Sequence, residues 1–213
     1  MIDQFISAFA TLFVTIDPIG NVPIFMALIA SYPAAIQRAI AFRAALIGLV
    51  ILLVFAFVGN SLLAFLGISM PALEITGGLL LLMVAIEMVF ERRSARRQQR
   101  VDEATQDQVS DDGEWQSLAI FPLAIPMLAG AGAMTSLLVV SAGNSPSSPS
   151  FYLSILALLL VIGLFAMIIW LTITLGNRVN KQVYLVLTRI MGVILAALST
   201  QFILSGIKAA FNL

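Results

Sequence analysis

The chain has 213 residues, 61% of them hydrophobic and 10% charged, with 11 basic and 11 acidic side chains and a mean hydropathy of +1.06. Soluble domains carry about 25% charged residues, so this composition marks an integral membrane protein, sized for one compact helical bundle and without the basic surface a nucleic acid needs. It contains no Cys and no His, which excludes disulfides, thiol chemistry, His-based triads and the usual transition-metal sites.

The first predicted span covers about residues 5–30 and is interrupted by Asp17-Pro18-Ile19-Gly20-Asn21-Val22-Pro23. At about 1.5 Å of rise per residue, Asp17 lies roughly 18 Å into a helix that starts at Phe5, close to a bilayer midplane. A carboxylate at that depth costs about 2.5–3.5 kcal/mol on insertion scales, and two prolines and a glycine disrupt the helix beside it. Irregular backbone at membrane depth survives only where protein surrounds it or a wet cavity receives it. The segment therefore predicts a discontinuous helix with a polar site at its break, and Asn21 is the expected N-cap of the second half. Asp3 and the missing basic n-region favour a retained first span over a cleaved signal.

A linker from Ser31 through Arg38 leads to span two, about 43–66; the turn Gly67-Ile68-Ser69-Met70-Pro71 leads to span three, about 73–90, which holds Glu74, Glu87 and the pair Gly77-Gly78. Residues 91–116 concentrate twelve of the chain's 22 charges and read as a solvated connector. Span four, about 117–143, is broken like span one, by Pro122, Pro126, Gly130 and Gly132. Spans five and six follow at about 151–175 and 184–206. Arg38, the Arg92–Arg100 cluster, and Arg178 with Lys181 fall in the linkers after spans one, three and five, whereas Lys208 alone is basic on the other side. The positive-inside rule puts those linkers in the cytoplasm and both termini in the periplasm.

The expected architecture is an all-α membrane protein, one domain over residues 1–213, with six transmembrane helices arranged as two inverted three-helix repeats. Repeat one is 1–90, the cytoplasmic loop 91–116, and repeat two 117–213, with helices 1 and 4 discontinuous. An offset of 115 residues lays Asp17–Asn21 over Gly132–Ser136, and Glu74–Gly77 over Arg189–Gly192. Paired broken helices in corresponding halves point to inverted-repeat transporters, with the binding site at the breaks.

The candidate substrate-binding residues are Asp17, Gly20, Asn21, Gly130, Gly132, Thr135 and Ser136. Asp17 is either a site for a substrate ammonium or a proton, or a structural cap for freed backbone N–H groups. Asn21, Thr135 and Ser136 offer uncharged donors and acceptors, although membrane Ser and Thr often bond instead to the preceding turn. Gly130 and Gly132 either turn backbone N–H groups toward an anion or permit close helix packing. Glu74 and Arg189 fall at opposite membrane faces and are not expected to pair.

At both breaks the sequence resembles the MarC family of bacterial inner-membrane proteins. The resemblance rests on Asp17–Pro23, on Pro122-Leu-Ala-Ile-Pro126 with Leu128–Ala133, and on Thr188–Gly192 with Gln201-Phe202-Ile203. One departure is Gly130-Ala131-Gly132, where the family pattern reads Gly-Pro-Gly. The resemblance implies a six-helix protein of the lysine-exporter superfamily in the bacterial inner membrane, among relatives that look like carriers of small neutral amino acids. The function expected is secondary transport, as an exporter of such amino acids, with proton or sodium as candidate coupling ion, a homo-oligomeric state open, and no cofactor or metal. The alternatives are drug efflux or a non-transporting scaffold. An enzyme is not expected, because no nucleophile–base pair or second midplane acid accompanies Asp17.

Overall fold

A computed structural model describes residues 1–90, 114–141, 148–175 and 181–211. The charged connector therefore lies outside the described residues apart from its last three, as do Arg178 and most of the Asn144–Ser150 linker. All regular structure among the described residues is helical: α1 (Ile2–Ile16), α2 (Val22–Ile29), α3 (Ala34–Phe65), α4 (Met70–Val89), α5 (Glu114–Leu118), α6 (Ala131–Ser141), α7 (Pro149–Leu175) and α8 (Lys181–Phe211). Between α5 and α6 runs an irregular helical stretch, Ala119–Leu128.

Helix ends follow local chemistry. Pro33 precedes α3, so the helix begins nine residues before the start expected for span two, and the apolar and alkyl-rich Ala34–Ala41 run joins it. Gly67, at φ 69°, closes α3: its amide bonds to Ala64 O at 3.2 Å and the Ile68 amide to Leu63 O at 2.9 Å. That paired pattern needs a left-handed residue, which glycine adopts without steric cost. Ser69 then caps α4, accepting from the Ala72 amide at 3.4 Å, with Pro71 in the first turn. In Ala119–Leu128, Phe121 and Ile125 have extended backbone, as residues preceding proline prefer, and both following X–Pro bonds are cis. The fourth predicted span thus departs from helix before both of its prolines as well as at Ala129–Gly130, as the sequence led one to expect. It bends by 52° before α6.

Among the described residues, four helices are long and apolar enough to cross a membrane, namely α3, α4, α7 and residues Val186–Phe211 of α8; the bent pair Trp115–Leu128 and Ala131–Ser141 makes a fifth if counted as one span. The remaining predicted span is divided between α1, of 15 residues, and α2, of 8.

Side-chain contacts sort the helix ends onto two ends of the bundle. At one end the Ser150 hydroxyl donates to Gln4 Oε1 at 3.1 Å, and Phe57 meets Phe151 edge-on at 5.1 Å between ring centroids. At the other, Arg38 Nη2 donates to Thr174 Oγ1 at 3.5 Å, and the Arg43 guanidinium lies 5.1 Å from the Trp115 ring. The starts of α1 and α7 and the late part of α3 therefore share one end, and the starts of α3 and α5 share the other with the end of α7.

The main core joins α1, α2, α3, Ala119–Leu128, α6 and α7 around Leu12, Phe25, Leu52, Leu128, Leu137 and Phe165. A second, smaller core lies between α4 and α8, reaching α1 at Val14. These two helices pack antiparallel at glycines: Gly206 faces Pro71 O and Ile75, Gly78 faces Ser199 O and Ile203, and Gly192 faces Met88 and Val89. Close backbone approach at small residues is how membrane helices gain dispersion contacts where lipid supplies no hydrophobic drive. This packing explains why α8 continues through Gly206, where span six was expected to stop.

Candidate functional site

The first break is a compact turn built by Asp17. Its amide still bonds to Phe13 O at 3.0 Å, but its backbone enters the left-handed region at φ 51°, ψ 63°, and α1 ends there. The Asp17 Oδ1 accepts from the Gly20 amide at 2.9 Å, and Asp17 O accepts from the Asn21 amide at 3.1 Å. A Cβ on Gly20 would run into the Asp17 carboxylate. The backbone amides of Gly20 and Asn21, both candidate substrate-binding residues, are thus engaged within the turn.

Asn21 stands at the N-cap position of α2 but makes no side-chain cap bond there. Its Nδ2 instead turns back and donates to Ile16 O at 2.7 Å, satisfying a carbonyl left over at the end of α1. Oδ1 of the same side chain is buried without a hydrogen-bond partner. Asp17 and Asn21 are 4% and 2% exposed, so the polar turn sits inside the protein and not against lipid.

The second break is Ala129–Gly130. The Ala129 amide bonds to Ala124 O at 2.9 Å, and Gly130 O accepts from the Met134 amide at 3.0 Å, which opens α6. The first amides of α6, from Ala131 onward, have no carbonyl within their own helix to pair with. A Cβ on Gly130 would lie 2.5 Å from Pro126 O, so the close backbone approach at this corner requires glycine. Thr135 and Ser136 are both buried, and Ser136 Oγ is the second partnerless atom.

The two breaks meet the same interior. Ile16 and Val22 flank the first, Leu128, Ala129 and Ala133 flank the second, and all five belong to the main core. Helices α1 and α6 pack directly on one another. Helix α4 forms a further wall, not assigned from sequence: a Cβ on Gly77 would strike the Thr135 side chain, and one on Gly132 would lie 2.5 Å from Leu81 Cδ2. The Gly77-Gly78 pair was the available signal, but nothing in the sequence says which helix such a pair faces. Glu74 lies by Gly206, and Arg189 is three residues from Gly192 at the far end of the α4–α8 pair, so these two side chains are not brought together.

The fold and its interruptions define a multi-pass α-helical membrane protein with buried polar breaks in two helices. Sequence comparison matches residues 2–211 to the MarC family of integral membrane proteins. The chain belongs to that family. Its relatives include a UPF0056 membrane protein of Methanocaldococcus jannaschii, 36% identical over 98% of both chains. YhcE of Escherichia coli, also a UPF0056 membrane protein, is 31% identical over 95% of this chain and 91% of its own. YvbG of Bacillus subtilis, of the same description, is 29% identical over 99% and 97%. No solved structure matches the chain.

Proposed function

We propose that this protein is a secondary transporter, working as an exporter, that carries small neutral amino acids through a site between its two helix breaks. The observation that carries the reading is that each break leaves one buried polar atom without a partner, Asn21 Oδ1 and Ser136 Oγ. Native proteins rarely tolerate such atoms unless a ligand, ion or water completes them. A scaffold gains nothing from this cost.

The same reading takes α1 with α2, and α5 through α6, as two broken crossings among six, arranged as inverted repeats. Helix contacts support it. Exchanging the halves turns the α1–α7 packing into that of α3 with Ala119–Leu128 and α6, and the α4–α6 packing into that of α8 with α1; all of these contacts occur. Contacts α1–α6, α3–α7 and α4–α8 map onto themselves and also occur. Both termini are then outside, in the plasma membrane.

A zwitterion suits the chemistry available. Asp17 brings a carboxylate to the first break, and the start of α6 brings the positive end of a helix dipole to the second. Thr135 and Leu81 fill the bare faces of Gly77 and Gly132, and Ala129 and Ala133 are buried beside the second break. This crowding favours glycine or alanine over a bulky drug. Proton or sodium is the coupling ion of this reading. The test is counterflow of labelled alanine and glycine by the purified protein in liposomes. Accumulation driven by unlabelled solute is expected, and failure to move any neutral amino acid in either direction would overturn the proposal.

A further inference from the structure

Asn21 Oδ1 and Ser136 Oγ are the only buried side-chain polar atoms lacking a hydrogen-bond partner among the described residues. They lie 115 residues apart, the same offset that superposes the two breaks. Other buried hydroxyls behave differently: Ser141 donates to Leu137 O at 2.6 Å and Thr172 to Ile168 O at 2.8 Å, each satisfied by its own helix. Ser136 has the same option one turn back and does not take it.

The two atoms are not chemically equal. Asn21 Nδ2 donates to Ile16 O at 2.7 Å, and the atom of that amide left without a partner is Oδ1, which accepts. The Ser136 hydroxyl can donate. Asp17 lies four residues before Asn21, and α6 starts five residues before Ser136. Negative charge thus accompanies the acceptor, and the positive helix terminus accompanies the donor.

We propose that Asn21 Oδ1 accepts from the ammonium of the substrate while the Ser136 hydroxyl donates to its carboxylate, so that unequal residues at equivalent positions fix the solute's orientation across the two breaks. This rests on the transporter reading above and adds the polarity of the bound solute. A two-fold scaffold with identical residues at both positions would hold a zwitterion equally well either way round. The Asn–Ser difference removes that ambiguity.

The test is binding of labelled alanine to the full-length protein in liposomes, with ethylamine and propionate as competitors, alongside thermal unfolding. Ser136→Ala is expected to weaken alanine binding at least about tenfold, the usual effect of losing a hydrogen bond to a charged group. Propionate should lose its competition in this variant while ethylamine keeps wild-type strength. Removing a partnerless buried hydroxyl should leave Tm unchanged or raise it by roughly 2–4 °C. Wild-type alanine affinity in Ser136→Ala, or equal weakening of all three ligands with a lower Tm, overturns the assignment and makes the hydroxyl structural. Absence of alanine binding by the wild-type protein overturns the transporter reading together with it, whereas wild-type binding that Ser136→Ala leaves intact removes the orientation alone.

Discussion

Asp17 serves two masters in one turn. Its left-handed backbone, the one positive φ outside glycine among the described residues, costs an L-residue about 1–2 kcal/mol, least for Asp and Asn, whose short side chains bond locally. Its Oδ1 recovers part of that by holding the Gly20 amide. Asn can do both, since it tolerates the same conformation and keeps an acceptor oxygen. Asp17→Asn is therefore expected to fold with a Tm close to wild type, yet to lower alanine transport about tenfold or more through loss of the charge facing the ammonium. Normal transport by this variant in liposomes would reduce Asp17 to a cap. Glu87→Gln, distant from both breaks in sequence, is the control expected to transport normally. Gly20→Ala should fail for a different reason: its methyl group meets the Asp17 carboxylate, and a lower Tm before any transport assay is the expected result.

At the scale of helices, glycine position decides whether added volume is tolerated. Gly78 faces the Ser199 carbonyl and Ile203 across the α4–α8 contact, whereas a Cβ on Gly163 of α7 meets nothing within 4 Å. Overpacking a tight contact costs about 1–3 kcal/mol. Gly78→Leu should accordingly lower Tm by several degrees, and Gly163→Leu should leave it nearly unchanged; equal effects on the two would mean that α4 and α8 do not pack as described. Much of this scale was readable in the residues. Pro18, Gly20 and Pro23 located the first break, and Pro126 with Gly130 located the second, because proline and glycine act on their own backbone. The partners of Gly77 and Gly132 were not readable, since Thr135 and Leu81 reach them from helices far away in the chain. Nor was the direction of the Asn21 side chain: an N-cap residue and a residue capping the helix behind it look identical in sequence.

For the whole molecule, the decisive prediction is sidedness. The contacts Gln4–Ser150 and Phe57–Phe151 define one end, and Arg38–Thr174 and Arg43–Trp115 the other. Because the chain has no native Cys, single cysteines report without interference. Gln4→Cys and Gly67→Cys are expected to react with an impermeant maleimide on intact cells, and Arg38→Cys only after the cells are opened. The reverse pattern would invert the orientation, and labelling of all three alike would sink the six-crossing reading. That the start of α3 and the end of α7 share one end was legible because Arg38 and Arg178 fall in the linkers beside them. The division into a large core and a separate α4–α8 core was not, since every span is apolar throughout and its lipid-facing and protein-facing sides read alike.

The seam between α4 and α6 resembles a rack. Thr135 sits in the socket of Gly77 and Leu81 in that of Gly132, two interlocks of opposite sense spaced four residues apart on one helix and three on the other. A helical turn is about 5.4 Å long. Any slide shorter than that lifts Leu81 out of its socket onto residues that carry side chains while Thr135 leaves Gly77, so both interlocks disengage together. No glycine lies one turn from Gly77 or Gly132, where Leu73, Leu81, Leu128 and Ser136 stand, so the seam holds this one register, and its teeth stand directly beside the partnerless Ser136.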